Sequence, residues 1–261
     1  MTTAKPSLFD ANSHPTVKGG WAVKGLDSTF ERLATELESS NYRGACAVGV
    51  WGLEDYSHKA FIDQCRRYAN LVPIAGYFPS RSSEVERDLA AIKKMGFRGI
   101  KIHPREPPIR FKDARLAEVF RAASRLHLRI FLCTYAHTSL EHYPVSDPLY
   151  EIAALLRSAP AASVLLVHGG GVDLLRYAEL VRFNPNLLLD LSLTFMKYRS
   201  SSLDQDIRFL FERFDQRICL GTDFPEYSPQ EVSEQFIKMS RGIPKKKLEN
   251  IAFRNIEQFL A

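Results

Sequence analysis

Eight short apolar runs alternate with helix-periodic segments from one end of this chain to the other. They lie at 8–11, 45–50, 72–77, 99–103, 129–134, 164–168, 187–191 and 218–222. Runs of four to seven residues without polar alternation read as strands buried on both faces, and a helical segment between two of them is the crossover that a parallel pair requires. Between the runs, apolar residues recur at helical spacing, as in Phe30, Leu33, Ala34 and Leu37, or Ile207, Leu210, Phe211 and Phe214. Each set gives a helix one apolar face to lay on a sheet. Eight such units in 261 residues predict an α/β fold, a (β/α)8 TIM barrel forming a single domain over 1–261. The segments 230–239 and 247–260 follow the last strand and supply an eighth helix and a C-terminal extra helix. A doubly wound open sheet would place a glycine-rich phosphate loop after its first strand. Here that strand runs into Asn12-Ser13-His14-Pro15, and Gly19-Gly20 lacks the spacing.

Local signals mark several boundaries. Asp27 or Ser28 is placed to cap the first helix, Ser82 or Ser83 the third, and Ser228-Pro229 the eighth, while Gly96 ends the third.

Charge and cysteine usage narrow the partners. Thirty-five basic against 30 acidic residues give a net charge of +5 spread along the chain, which favours an anionic small-molecule substrate. The one dense basic run, Lys245-Lys246-Lys247, follows Pro244 and reads as a solvated helix start, so no nucleic-acid partner is expected. Cys46, Cys133 and Cys219 fall in expected strands, Cys65 stands apart, and there is no CxxC pair, so core thiols rather than disulfides are expected. No apolar run reaches the roughly 20 residues that cross a bilayer, and residues 1–6 lack the apolar stretch of a secretory signal. A cytoplasmic protein without a membrane partner is expected, its homo-oligomeric state open.

Barrel enzymes carry their chemistry at the carboxyl ends of the strands. Those ends here hold Asp10, Asn12 and His14; Lys101 and His103, with Arg105 beyond; Cys133, Tyr135 and His137; His168 before three glycines; and Asp223 in Gly221-Thr-Asp-Phe-Pro225. Alternation along a strand puts Asp10, Asn12 and His14 on one side, facing inward. Blander readings stand beside these: Asp10 as a buried turn residue, Cys133 as core, His58 as solvent-exposed, and His127 as remote at the opposite end. The long loop after the fifth strand, with His137 and His142, has the length of an active-site lid.

Asp10-x-Asn12-x-His14, Gly99-Ile-Lys-Ile-His103-Pro104, Leu166-Val-His168-Gly-Gly, Leu220-Gly-Thr-Asp223-Phe-Pro225 and the terminal Leu248-Glu-Asn-Ile-Ala-Phe-Arg-Asn255 together resemble the amidohydrolase superfamily, in its amidohydrolase-related (amidohydrolase 2) branch. The resemblance implies a hydrolase of amides, lactones or related bonds, usually at a divalent metal such as zinc. The family usually has His-x-His on the first strand, one histidine on each of strands five and six, and an aspartate on strand eight. Carried over, it makes His14, His168 and Asp223 metal ligands and Asp223 and His168 catalytic, with Asn12 and Cys133, which stand where histidines are usual, as further candidate ligands. A metal-free variant of the same chemistry uses Asp223 as base and His168 or His14 as its partner. Lys101, His103, Arg105, Tyr135 and His137 are then substrate-binding, and Arg199 is a further cation at the mouth. Two alternatives accompany the hydrolase: a metal-dependent decarboxylase of an aromatic acid, and a barrel that has lost catalysis and kept a binding role.

Overall fold

The computed structural model describes residues 7–53, 56–80, 84–105, 108–137 and 146–261. The expected caps Ser82 and Ser83, the lid residue His142 and residues 1–6 lie outside them. The strands are β1 (Leu8–Ser13), β2 (Tyr42–Val48), β3 (Leu71–Gly76), β4 (Gly99–Ile102), β5 (Arg129–Cys133), β6 (Val164–Val167), β7 (Leu187–Asp190) and β8 (Ile218–Cys219). They pair in parallel, in the order β1 to β8, as the eight apolar runs predict. Around them lie α1 (Phe30–Ser39), α2 (His58–Cys65), α3 (Val85–Met95), α4 (Ala114–Arg125), α5 (Pro148–Ser158), α6 (Leu174–Arg182), the single turn α7 (Thr194–Lys197), α8 (Leu203–Arg213) and α9 (Pro229–Met239). A terminal run follows: α10 (Lys245–Glu249), a π turn over Asn250–Arg254, and α11 (Asn255–Leu260).

Side-chain alternation splits the core into two layers. Residues such as Ile130, Leu132, Leu166 and Leu189 pack outward against the helices. Phe131, Leu165, Val167, Leu188 and Cys219 fill the barrel, and Ile256 and Leu260 of α11 close its lower end. All four cysteines are buried and free. Among the described residues no helix is long and apolar enough to cross a membrane.

The caps at Ser228 and Gly96 form as expected. Ser228 and Glu231 make a reciprocal capping box with Pro229 in the first turn, and Gly96 ends α3 at φ 104°. The cap of α1 is instead Thr29, whose hydroxyl accepts from Arg32 N, while Asp27 accepts from the Thr29 amide one step earlier. His58 is half-buried rather than exposed, its Nε2 2.8 Å from the Gly76 carbonyl.

The seam between β8 and β1 is irregular. Strand β8 is only two residues long, and the closing bonds come from loop residues: Ala11 N donates to Leu220 O at 2.9 Å, Asp223 N to Asn12 O at 2.9 Å, and His14 N to Phe224 O at 2.8 Å. In β1, Asp10 pairs with Ala45 and Ser13 with Ala47, so Ala11 and Asn12 together face Cys46 alone. Such a bulge re-aims the side chains that follow it. Asp10 therefore leaves the side shared by Asn12 and His14, and its carboxyl accepts from Thr222 N, Thr222 Oγ1 and Asn12 N. Simple alternation misplaced it; it is buried and hydrogen-bonded, as the blander reading has it, but within β1 rather than in a turn.

Two predictions concern these joints. Asn255 Nδ2 donates to Asp215 O at 2.6 Å and Ile218 O at 2.8 Å, tying α11 to β8. Asn255→Leu strands two carbonyls, and urea unfolding should report a loss of about 1–3 kcal/mol at unchanged m; an unaltered midpoint would show the tie to be dispensable. Burial pushes the Asp10 carboxyl from 3.8 up to about 6. The folded state thus binds its proton more tightly than the unfolded chain, a stabilisation present below pH 4 and lost as pH rises to about 6. Asp10→Asn abolishes that dependence, so its stability relative to the parent should improve by up to about 3 kcal/mol between pH 4 and 7. A flat difference across that range would refute the buried-carboxyl reading.

Candidate active site

The bulge in β1 and the β8–β1 seam bring Asn12, His14 and Asp223 together at the carboxyl end of the barrel. His168 arrives from β6. Both Asp223 and His168 sit in the left-handed backbone region, at φ 56° and 70°. Side chains with a Cβ reach that region at a cost of about 1–3 kcal/mol, and such outliers cluster at functional sites. After His168 the chain continues left-handed through Gly169, Gly170 and Gly171. Only glycine suits this path, since a Cβ on Gly170 would come 2.1 Å from the Tyr177 ring.

Asn12 is the hub. Its Nδ2 donates to Asp223 Oδ1 at 2.9 Å and lies 3.2 Å from His14 Nε2 and 3.3 Å from Ser192 Oγ, while its Oδ1 accepts from Lys101 Nζ at 3.3 Å. The ammonium on one side and the carboxylate on the other fix which end of the amide is nitrogen. His14 Nδ1 lies 2.9 Å from Val48 O and donates there, which leaves the Nε2 lone pair for Asn12. His168 Nδ1 donates to Ser192 O at 3.1 Å, and its Nε2 lies 3.9 Å from Asp223 Oδ1. Cys133, at the end of β5, lies against His103 and His168.

The charges follow from this packing. Burial would raise the Asp223 carboxyl, but His168 and Lys101 hold it well below the usual carboxylate range, so it is ionised. Burial alone would lower His168; Asp223 and Cys133 outweigh it, and the net shift is upward. His14 is lowered by burial and stays neutral at pH 7, and Lys101 is likewise lowered by burial.

Two residues of this network escaped the sequence reading. Ser192 Oγ donates to Asp190 and lies 3.1 Å from His168 Nδ1, so Asp190 and Ser192 hold the His168 ring in place. The signal was present in Leu187-Leu-Leu-Asp190-Leu-Ser192, a polar pair at the end of a buried strand. Trp21 is the third omission, stacked on His14 at 5.5 Å.

The expected substrate-binding residues gather at the ends of β4 and β5. Arg105 Nη2 lies 3.3 Å from His103 Nε2, and its guanidinium covers the Tyr135 ring at 5.4 Å. Tyr135 meets His137 at 5.3 Å and His168 at 6.3 Å between ring centres. Among the described residues, His103 Nδ1 and Arg105 Nε are buried polar atoms without a hydrogen-bond partner. Lys101 lies deeper, only 1% exposed, and turns to Asn12. Arg199 is exposed, its Nε on the Met196 carbonyl.

A divalent ion needs several lone pairs converging on one open position. His14, His168 and Asp223 do converge, but the amide nitrogen of Asn12 points among them with hydrogens rather than a lone pair, and the Lys101 ammonium stands behind it. Among the described residues no three His, Cys, Asp or Glu side chains are arranged to hold a metal. As arranged, this donor set does not fit a divalent ion.

Comparison with known proteins agrees with the fold. No curated protein matches the chain by sequence. Among solved structures, an uncharacterised TIM-barrel protein from Bordetella bronchiseptica superposes with a TM-score of 0.81 at 17% identity, covering 98% of each chain. A candidate 2-pyrone-4,6-dicarboxylic acid hydrolase from Pseudomonas putida gives 0.72 at 13% over 97% of each chain. For 5-carboxyvanillate decarboxylase from Sphingomonas paucimobilis the score is 0.69 at 10%, over 97% of this chain and 99% of that one. The sequence model of the amidohydrolase family, Amidohydro_2, matches residues 46–259. With the barrel and the strand-end motifs in place, that match over most of its length makes the chain a member of the amidohydrolase family.

Proposed function

We propose that the chain is a hydrolase in which Asp223 activates a water for attack on a carbonyl carbon of a small anionic substrate, without a metal. The observation that carries this reading is the Asn12 amide, held between Lys101 and Asp223 where the family usually has an imidazole. The positive charge of the site then comes from Lys101 and His168. Asp223 takes the water proton as oxygen bonds to the carbonyl carbon, and protonated His168 faces the charge that develops on the carbonyl oxygen. When the tetrahedral species collapses, the C–O or C–N bond breaks and the leaving atom takes the proton back from Asp223. The unpartnered His103 and Arg105 nitrogens suit a substrate carboxylate, which a guanidinium can hold through two parallel hydrogen bonds. An ionised Asp223 carries no proton for a ring carbon, which favours hydrolysis over decarboxylation.

The Pseudomonas putida structure suggests the first assay compound, 2-pyrone-4,6-dicarboxylate, followed by other carboxylated lactones. Turnover is expected to survive exhaustive chelation and to fall about 10²–10⁴-fold in Asp223→Asn. Activity lost to chelator and restored by zinc would sink the metal-free reading, and an active Asp223→Asn would sink the base assignment. The pH profile is a separate check. With Asp223 ionised far into the acid range and His168 needed in its protonated form, kcat/KM should stay flat down to about pH 5 and fall as pH rises through the elevated His168 value. A profile that rises from pH 6 to 8 contradicts these roles.

A further inference from the structure

The mouth of the barrel is chemically two-sided. Lys101, His103 and Arg105 stand at β4, whereas on the β1–β2 side a recess of about 110 Å³ opens beside His14. Its walls include Trp21, Val48, Val50, Leu53, Tyr56 and Phe61. Trp21 lies nearly parallel to the His14 ring, 16° between planes, and is anchored by Nε1 donating to Glu226 at 2.7 Å. Tyr56 is held by the Gly76 amide, which donates to its hydroxyl at 2.9 Å, and it packs so closely on Gly49 that a Cβ there would come within 2.4 Å of its ring. Val17, which also lines the recess, is 42% exposed. Among the described residues lining it, Lys18 alone carries a permanent charge.

A polyanion seated here would give up hydration for almost no polar partner. A single ring would meet flat aromatic walls, and the volume approaches the roughly 150 Å³ of a cavity that holds benzene. His14 belongs both to the wall of the recess and to the network around Asp223. We infer that this recess is a subsite for an aromatic ring, and that the substrate is an aryl-bearing carboxylate ester, lactone or amide. The substrate class rests on Asp223 as the reacting base; the binding of a ring does not.

Titration calorimetry with 3-phenylpropionate and propionate on the full chain tests it. The phenyl compound should bind at least about tenfold more tightly, and the preference should vanish in Ala60→Trp, where an exposed lining position of α2 receives a side chain that fills the recess. Val50→Tyr fills it from the other side and serves if the first variant fails to fold. The preference should persist in Asp223→Asn, which separates this subsite from the catalytic reading. Equal affinities for the two acids in the parent, or a preference that survives either folded variant, overturns the subsite.

Discussion

Closure of the barrel between β8 and β1 is the constraint on which the site depends. Three backbone hydrogen bonds, from Ala11, Asp223 and His14, cross this seam, and the Asp10 carboxyl braces it by accepting from Thr222. Because Asp223 N bonds to Asn12 O, the last strand end is held in register with the first. The same bond fixes the Asp223 backbone in its left-handed conformation, from which its side chain meets Asn12, His14 and His168. A slip by one residue at this seam would turn Asp223 away from its partners, since neighbouring residues of an extended chain point in opposite directions.

Inside the seam, the electrostatics are resolved by a neutral side chain. Asp223, His168 and Lys101 are all nearly sealed from water, and isolated charges in such places are costly. Asn12 lowers that cost by accepting from the ammonium with its oxygen and donating to the carboxylate with its nitrogen. A histidine at this position would present an imidazole lone pair and suit a metal; an amide presents hydrogens and suits a carboxylate. At position 12 the amide thus links the Lys101 ammonium to the Asp223 carboxylate.

Much of this was legible in advance, in proportion to how local the signal is. All eight strands and the terminal helix were recoverable from runs and periodicities, with ends displaced by one to three residues because strand edges depend on neighbouring strands. His14, His168 and Asp223, which strand-end placement and family motifs single out, lie together at the carboxyl end of the barrel. Asp10 was misplaced by the bulge, which appears only when β1 is laid beside β2. Asp190 and Ser192 passed unnoticed because their function is to hold His168, a contact made across 24 positions of chain.

By itself, then, the sequence determined the architecture: the alternation of buried strands and one-faced helices leaves a closed parallel barrel as the way to bury every apolar face, and the strand ends name the residues at its mouth. What only the tertiary structure decided is how those residues meet. The Asn12–Asp223 bond joins positions 211 apart, and the recess beside His14 is enclosed by two loops and the start of α2. Periodicity is a property of neighbours along the chain, whereas donor geometry, ionisation and cavity shape arise from groups that become neighbours only on folding.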